Sequence, residues 1–150
     1  MDIIGLDPGA NGAAVLLRED GTVDIAQFSK MTQRDIVDAL CEWQSCGVFE
    51  TQLFAYLEKV HAMPKQGVSS TFKFGVNFGF LIGCLTALSI PFEYVTPNKW
   101  QKALSCQSHG DKNITKQKAQ QLFPSEKVIH ATADALLIAE YGSRLRRGTI

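Results

Sequence analysis

The sequence predicts an α/β fold in which a five-stranded mixed sheet, three antiparallel strands and then two parallel ones, is flanked by helices. Apolar runs at residues 2–7, 13–17 and 22–28 are separated only by tight, Gly-bearing turns, so they fold as a meander of hairpins. Runs at 53–60 and 91–95 each follow a segment of helical periodicity, which acts as a crossover and brings the later strand in parallel. Beyond them the pattern is helical.

The first strand, DIIGLD, is apolar and β-branched and is stopped by Pro8 and Gly9; Gly9, Asn11 and Gly12 form the turn after it. Glu19, Asp20 and Gly21 turn the chain between the next two strands. Thr32 with Asp35 is a capping-box variant, and Ile36, Val37, Leu40 and Cys41 recur at helical spacing until Gly47. LFAYLEKV is short and aromatic and reads as a buried strand that surfaces near Glu58. Residues 71–88 predict a helix in spite of Gly75, Gly79 and Gly83, which are four apart, share one face and so imply that something packs closely there. Thr96 as cap and Pro97 at the first helical position open a helix over 98–104. A polar loop at 107–113 leads to a basic helix over 115–123, halted before Pro124, and an apolar helix over 131–141 with Gly142 as its stop.

With 150 residues, 45% apolar and 20% charged, the chain reads as a single globular domain, 1–150. The longest apolar stretch, 78–88, is interrupted by Gly79, Gly83 and Thr86, so no membrane span is expected. Asp2 stands where a secretory signal would carry basic residues, and Cys41, Cys46, Cys84 and Cys106 lack CxxC spacing, so a reduced, cytoplasmic protein without structural zinc is expected. The zero net charge hides an asymmetry: residues 1–60 hold ten acids and four bases, residues 61–150 five acids and eleven bases. Such a basic half favours a polyanionic partner.

Three carboxylates are out of place. Asp7 and Glu58 each end an apolar strand, and Asp134 lies in what reads as the first turn of an apolar helix. Singly, a turn bond, a salt bridge and a helix N-terminus would explain them. If the first and fourth strands are neighbours, however, the acids gather at one sheet edge, where sites form in such folds. Together they suit hard divalent cations, Mg²⁺ or Mn²⁺, and two such ions ~4 Å apart stabilise both oxygens of an in-line phosphodiester displacement. His130, four residues before Asp134, shares its helical face and is a fourth candidate ligand.

The segments IIGLDPGANGAAVL, LEKVHAMPKQGVSSTFKFGVNFG and HATADALLIAEYG, in that order, resemble the RuvC-type Holliday-junction resolvases, particularly the short phage-encoded ones. The resemblance spans nearly the whole chain. It implies a ribonuclease H-like fold, a homodimer, two metal ions per active site and symmetric nicking of four-way or branched DNA. It matches Asp7, Glu58 and Asp134 to the family's metal-binding acids. Where members often carry an Asp or His three residues before the last acid, this chain has Ala131, with His130 nearby. His61 stands where some members stack an aromatic on a junction base, and the resemblance sets part of the glycine-bearing helix at a dimer interface.

Lys65 and Lys73 beside the loop after Glu58, Lys99 and Lys102 after the fifth strand, and Lys112, Lys116, Lys118 and Lys127 about the basic helix are candidate phosphate contacts. Arg144, Arg146 and Arg147 read as a solvated tail, and Trp100 as a buried side chain in preference to a base-stacking one. No small-molecule cofactor is expected. A catalytically silent branched-DNA binder of the same fold is the alternative function.

Overall fold

A computed structural model of the chain describes residues 1–45, 52–59 and 67–150. Five strands, β1 (Asp2–Asp7), β2 (Ala13–Leu17), β3 (Val23–Gln27), β4 (Leu53–Glu58) and β5 (Phe92–Val95), form one sheet in the order β3-β2-β1-β4-β5. The first three pair antiparallel, while β1–β4 and β4–β5 pair parallel, as the lengths of their connections require. The helices are α1 (Gln33–Ser45), α2 (Val68–Ala87), α3 (Pro97–Ala103), α4 (Lys112–Leu122) and α5 (His130–Arg146).

Strand alternation sorts the side chains into two cores. Ile4, Leu6, Ala14, Leu16, Ala55 and Leu57 pack with Ile36, Leu40, Leu81 and Leu85 of α1 and α2. Ile3, Val15 and Tyr56 pack on the opposite face, with Trp100 and the apolar residues of α5. Each fully buried leucine on either face contributes on the order of 2 kcal/mol. The capping box of α1 forms as expected: the Asp35 carboxylate accepts from the Thr32 backbone N–H and hydroxyl, and the Asp35 N–H donates back to the Thr32 hydroxyl.

Four expectations need correction. Helix α5 does not stop at Gly142 but continues to Arg146. Gly142 is there because any Cβ would overlap the Tyr56 ring, a requirement of close packing that composition does not distinguish from a helix stop. Helix α4 begins earlier than 115, at Lys112, because the Asp111 carboxylate accepts the Asn113 N–H and caps it. Helix α2 starts at Val68, not at 71, and nothing among the described residues lies close to Gly75, Gly79 or Gly83: a Cβ at each would meet open space there. By length and composition only, at a mean hydropathy of 1.3, α2 is apolar enough to cross a membrane. Last, Arg144 and Arg146 are not frayed. Arg144 pairs with Glu140 at 2.6 Å, while the Arg146 guanidinium lies 3.8 Å over the Phe54 ring, donates to the Tyr56 hydroxyl and pairs with Glu93.

Among the described residues Cys84 and Cys106 are buried and no disulfide forms. Cys46 lies outside the described residues.

Candidate active site

The parallel pairing of β1 with β4 runs in register to Leu6 and Leu57, so the next residues, Asp7 and Glu58, emerge side by side at the carboxyl ends of adjacent central strands. Alternation turns both toward the α5 face, the side occupied by Ile3 and Tyr56. Helix α5 approaches β1 until backbone touches backbone: a Cβ on Gly5 would overlap the Ala135 carbonyl and the Ala139 amide. That contact sets Asp134, one residue before Ala135, against the end of β1. Gly12 meets a similar demand, since a Cβ there would overlap the Asp7 carbonyl oxygen.

Asp7, Glu58 and Asp134 thus line one open cavity of roughly 860 Å³, with His130 on the same wall as Asp134 and Lys112 at the start of α4. Asp134 is the fifth residue of α5, in its second turn, so the helix N-terminus does not account for it as its sequence position suggested. Its Oδ1 is buried without a hydrogen-bond partner among the described residues. Asp7 Oδ1 accepts the Gly9 N–H at 3.1 Å, the turn bond foreseen for it, and Glu58 Oε1 accepts the Trp100 indole N–H at 2.9 Å.

The electrostatics follow from crowding acids under a protein roof. Burial pushes Glu58 up to about 8, with the Asp7 charge adding to it, and Asp7 up to about 6, against the lowering pull of the Gly9 N–H. Asp134 is also raised by burial, opposed by the Thr115 hydroxyl and by the charges of Lys112 and His130. Lys112 lowers all three acids. Among the described residues no three Asp, Glu, His or Cys side chains already converge on a single cation position; the acids stand on the walls of the shared cavity. An orphaned carboxylate oxygen beside two further raised carboxyls is a donor set of the hard oxygen type that Mg²⁺ and Mn²⁺ take.

Of the predicted DNA contacts, Lys112 alone among the described lysines lines this cavity. Lys73, Lys99 and Lys102 are exposed, Lys116 and Lys118 half-buried, and no salt bridge engages any of them among the described residues. His61 and Lys65 lie outside the described residues. Trp100 is buried as expected, but its bond to Glu58 was not foreseen; three residues after Pro97 it read as core in preference to a base-stacking side chain. Lys30, also unforeseen, faces Lys127 across a second cleft beyond the start of α5, lined by Gln27, Ile129 and Thr132.

A mixed five-stranded sheet with this order, flanked by helices, is the ribonuclease H-like fold. No protein-family model and no curated protein matches the sequence. Among solved structures the fold is that of RuvC: Thermus thermophilus RuvC in complex with a Holliday junction substrate matches with a TM-score of 0.63 at 17% identity, over 99% of this chain and 97% of that one. A second Thermus thermophilus RuvC structure matches with a TM-score of 0.60 at 18% identity, over 99% of this chain and 98% of the other.

Proposed function

We propose that the chain is a divalent-cation-dependent endodeoxyribonuclease that resolves four-way or other branched DNA. The observation that carries this reading is the gathering of Asp7, Glu58 and Asp134, from two strands and a distant helix, in one solvent-open cavity on a RuvC fold whose solved member holds a Holliday junction. Asp7, Glu58 and Asp134 would hold one or two Mg²⁺ or Mn²⁺ ions. Bound there, the ions would supply charge compensation to the scissile phosphate and to the attacking and leaving oxygens.

The chain's own groups do the rest. The Lys112 ammonium, close enough to lower all three acids, draws the phosphodiester into the cavity and offsets its charge. The Gly9 N–H holds Asp7 Oδ1, so that its carboxylate does not swing away when substrate enters. His130, exposed at the first turn of α5, is placed to accept the proton of the attacking water at a ring nitrogen. The oxygen it activates attacks in line, and the 3′ oxygen leaves.

The same reading covers α2. Val68 is 87% exposed and Phe72 71%, and among the described residues the three glycines on this helix have no neighbour that would require them. A second copy of the chain packed on α2 covers the apolar side chains and gives the glycines a reason, making the enzyme a homodimer with two cavities for the two strands of a junction. A labelled synthetic four-way junction incubated with Mg²⁺ tests the whole. Wild type nicks it in symmetric pairs, whereas Asp7→Asn, Glu58→Gln and Asp134→Asn each lose at least about a hundredfold in rate, the scale of removing one preorganised charge-stabilising group. Equal nicking by all four proteins sinks the proposal, and junction binding without nicking by wild type leaves the silent binder in its place.

A further inference from the structure

We infer that Trp100 is a positioning residue for Glu58, its indole N–H holding one carboxylate oxygen so that the other is the one presented to the cavity. The inference rests on the proposed reading of that cavity as a cation site and extends it to a residue outside the acids.

The geometry is specific. Trp100 is fully buried, and an indole has one N–H, which burial obliges to find an acceptor. It finds Glu58 Oε1 at 2.9 Å, across 42 residues of sequence. The two are brought together by the sheet: Val95, the last residue of β5, pairs with Glu58, and α3 starts two residues later at Pro97. Trp100 therefore hangs from the strand beside the one that ends in Glu58, and its ring is clamped in the core that underlies α5. Glu58 Oε2 takes no hydrogen bond among the described residues and is left for whatever occupies the cavity.

The next residue extends the brace. Gln101 Oε1 accepts both the backbone N–H and the hydroxyl of Ser108, which lines the cavity along with Gly110. Two consecutive side chains of one short helix thus fix two walls of the cavity. A space-filling tryptophan would need neither a bond to an acid nor this neighbour. Bonds of this kind orient groups that hold a cation, and losing one costs about 10–100-fold in cation affinity.

The test uses the intact chain labelled with ¹⁵N. Its two tryptophans give two indole N–H resonances, assigned with Trp43→Phe. On titration with MgCl₂ or MnCl₂ followed by calorimetry, and with MgCl₂ for the resonances, the Trp100 signal shifts along the calorimetric isotherm while that of Trp43 stays still, and Glu58→Gln abolishes the shift. Trp100→Phe, which keeps a buried ring but lacks the donor, binds either cation at least about tenfold more weakly. Cation binding with an unmoved Trp100 resonance, or with undiminished affinity in Trp100→Phe, overturns the inference alone. Failure of wild type to bind either cation overturns the cation site and the inference together. If Trp100→Phe does not fold, the resonance in the wild-type chain decides.

Discussion

Asp7 and Glu58 show how a side chain's place in a fold outweighs its ordinary chemistry. Both are raised by burial, to about 6 and about 8 from values of 3.8 and 4.5, so folding opposes their ionisation. A folded-state value above the unfolded one means that the stabilising proton is fully present below the unfolded value and lost on the way up. In chelator-treated protein the melting temperature should therefore fall as pH rises from about 4 toward 8. Glu58→Gln should remove the part of that fall between about 6 and 8 and lessen it below, where Asp7 also titrates, and Mg²⁺ should restore stability most at the alkaline end; a flat profile in chelator refutes the raised values. At this scale the sequence was informative about identity and poor about cause. Asp7, Glu58 and Asp134 stood out as acids in apolar company, but the helix-terminus explanation for Asp134 assumed a start one residue too late, and the partnership of Trp100 with Glu58 joins residues no local pattern connects.

Among the elements, the glycines divide into two kinds that composition does not separate. Gly5 and Gly142 let α5 settle on β1 and β4, whereas Gly75, Gly79 and Gly83 face open space. Gly5→Ala should cost about 1–3 kcal/mol, because the backbone of α5 cannot yield as a flexible side chain would. Gly79→Ala, measured in a monomeric background, should instead stabilise by about 0.5–1 kcal/mol through helix propensity alone. Urea unfolding of the two variants separates the kinds. Strand positions were legible to within two residues at each end, since two-residue alternation and turn glycines are local signals. Helix ends were less so: Asp111 capping α4 and the passage of α5 through Gly142 are decided by hydrogen bonding and packing that lie outside the windows of periodicity.

At the scale of the whole molecule, the mixed sheet of three antiparallel and two parallel strands was legible, because a meander followed by helical crossovers leaves few unknotted arrangements, whereas the adjacency of β1 and β4 entered only as a condition. The exposed apolar face of α2 was not legible, since exposure is decided by what packs around a helix and not by its own periodicity. Phe72→Glu should reduce the sedimenting species from two chains to one and uncouple the paired nicks of a junction, while leaving the monomer folded; an unchanged mass excludes α2 as the contact.

Where α5 meets β1, the spacing is kept by peptide planes alone, with no rotamer between them to adjust. The gap between the acid on the first strand and the acid on the last helix is accordingly a constant of the architecture. If the cavity holds an ion as proposed, adaptation to a larger or smaller one would have to come from the side-chain torsions of Asp7, Asp134 and Glu58, because the backbones behind the first two are already in contact.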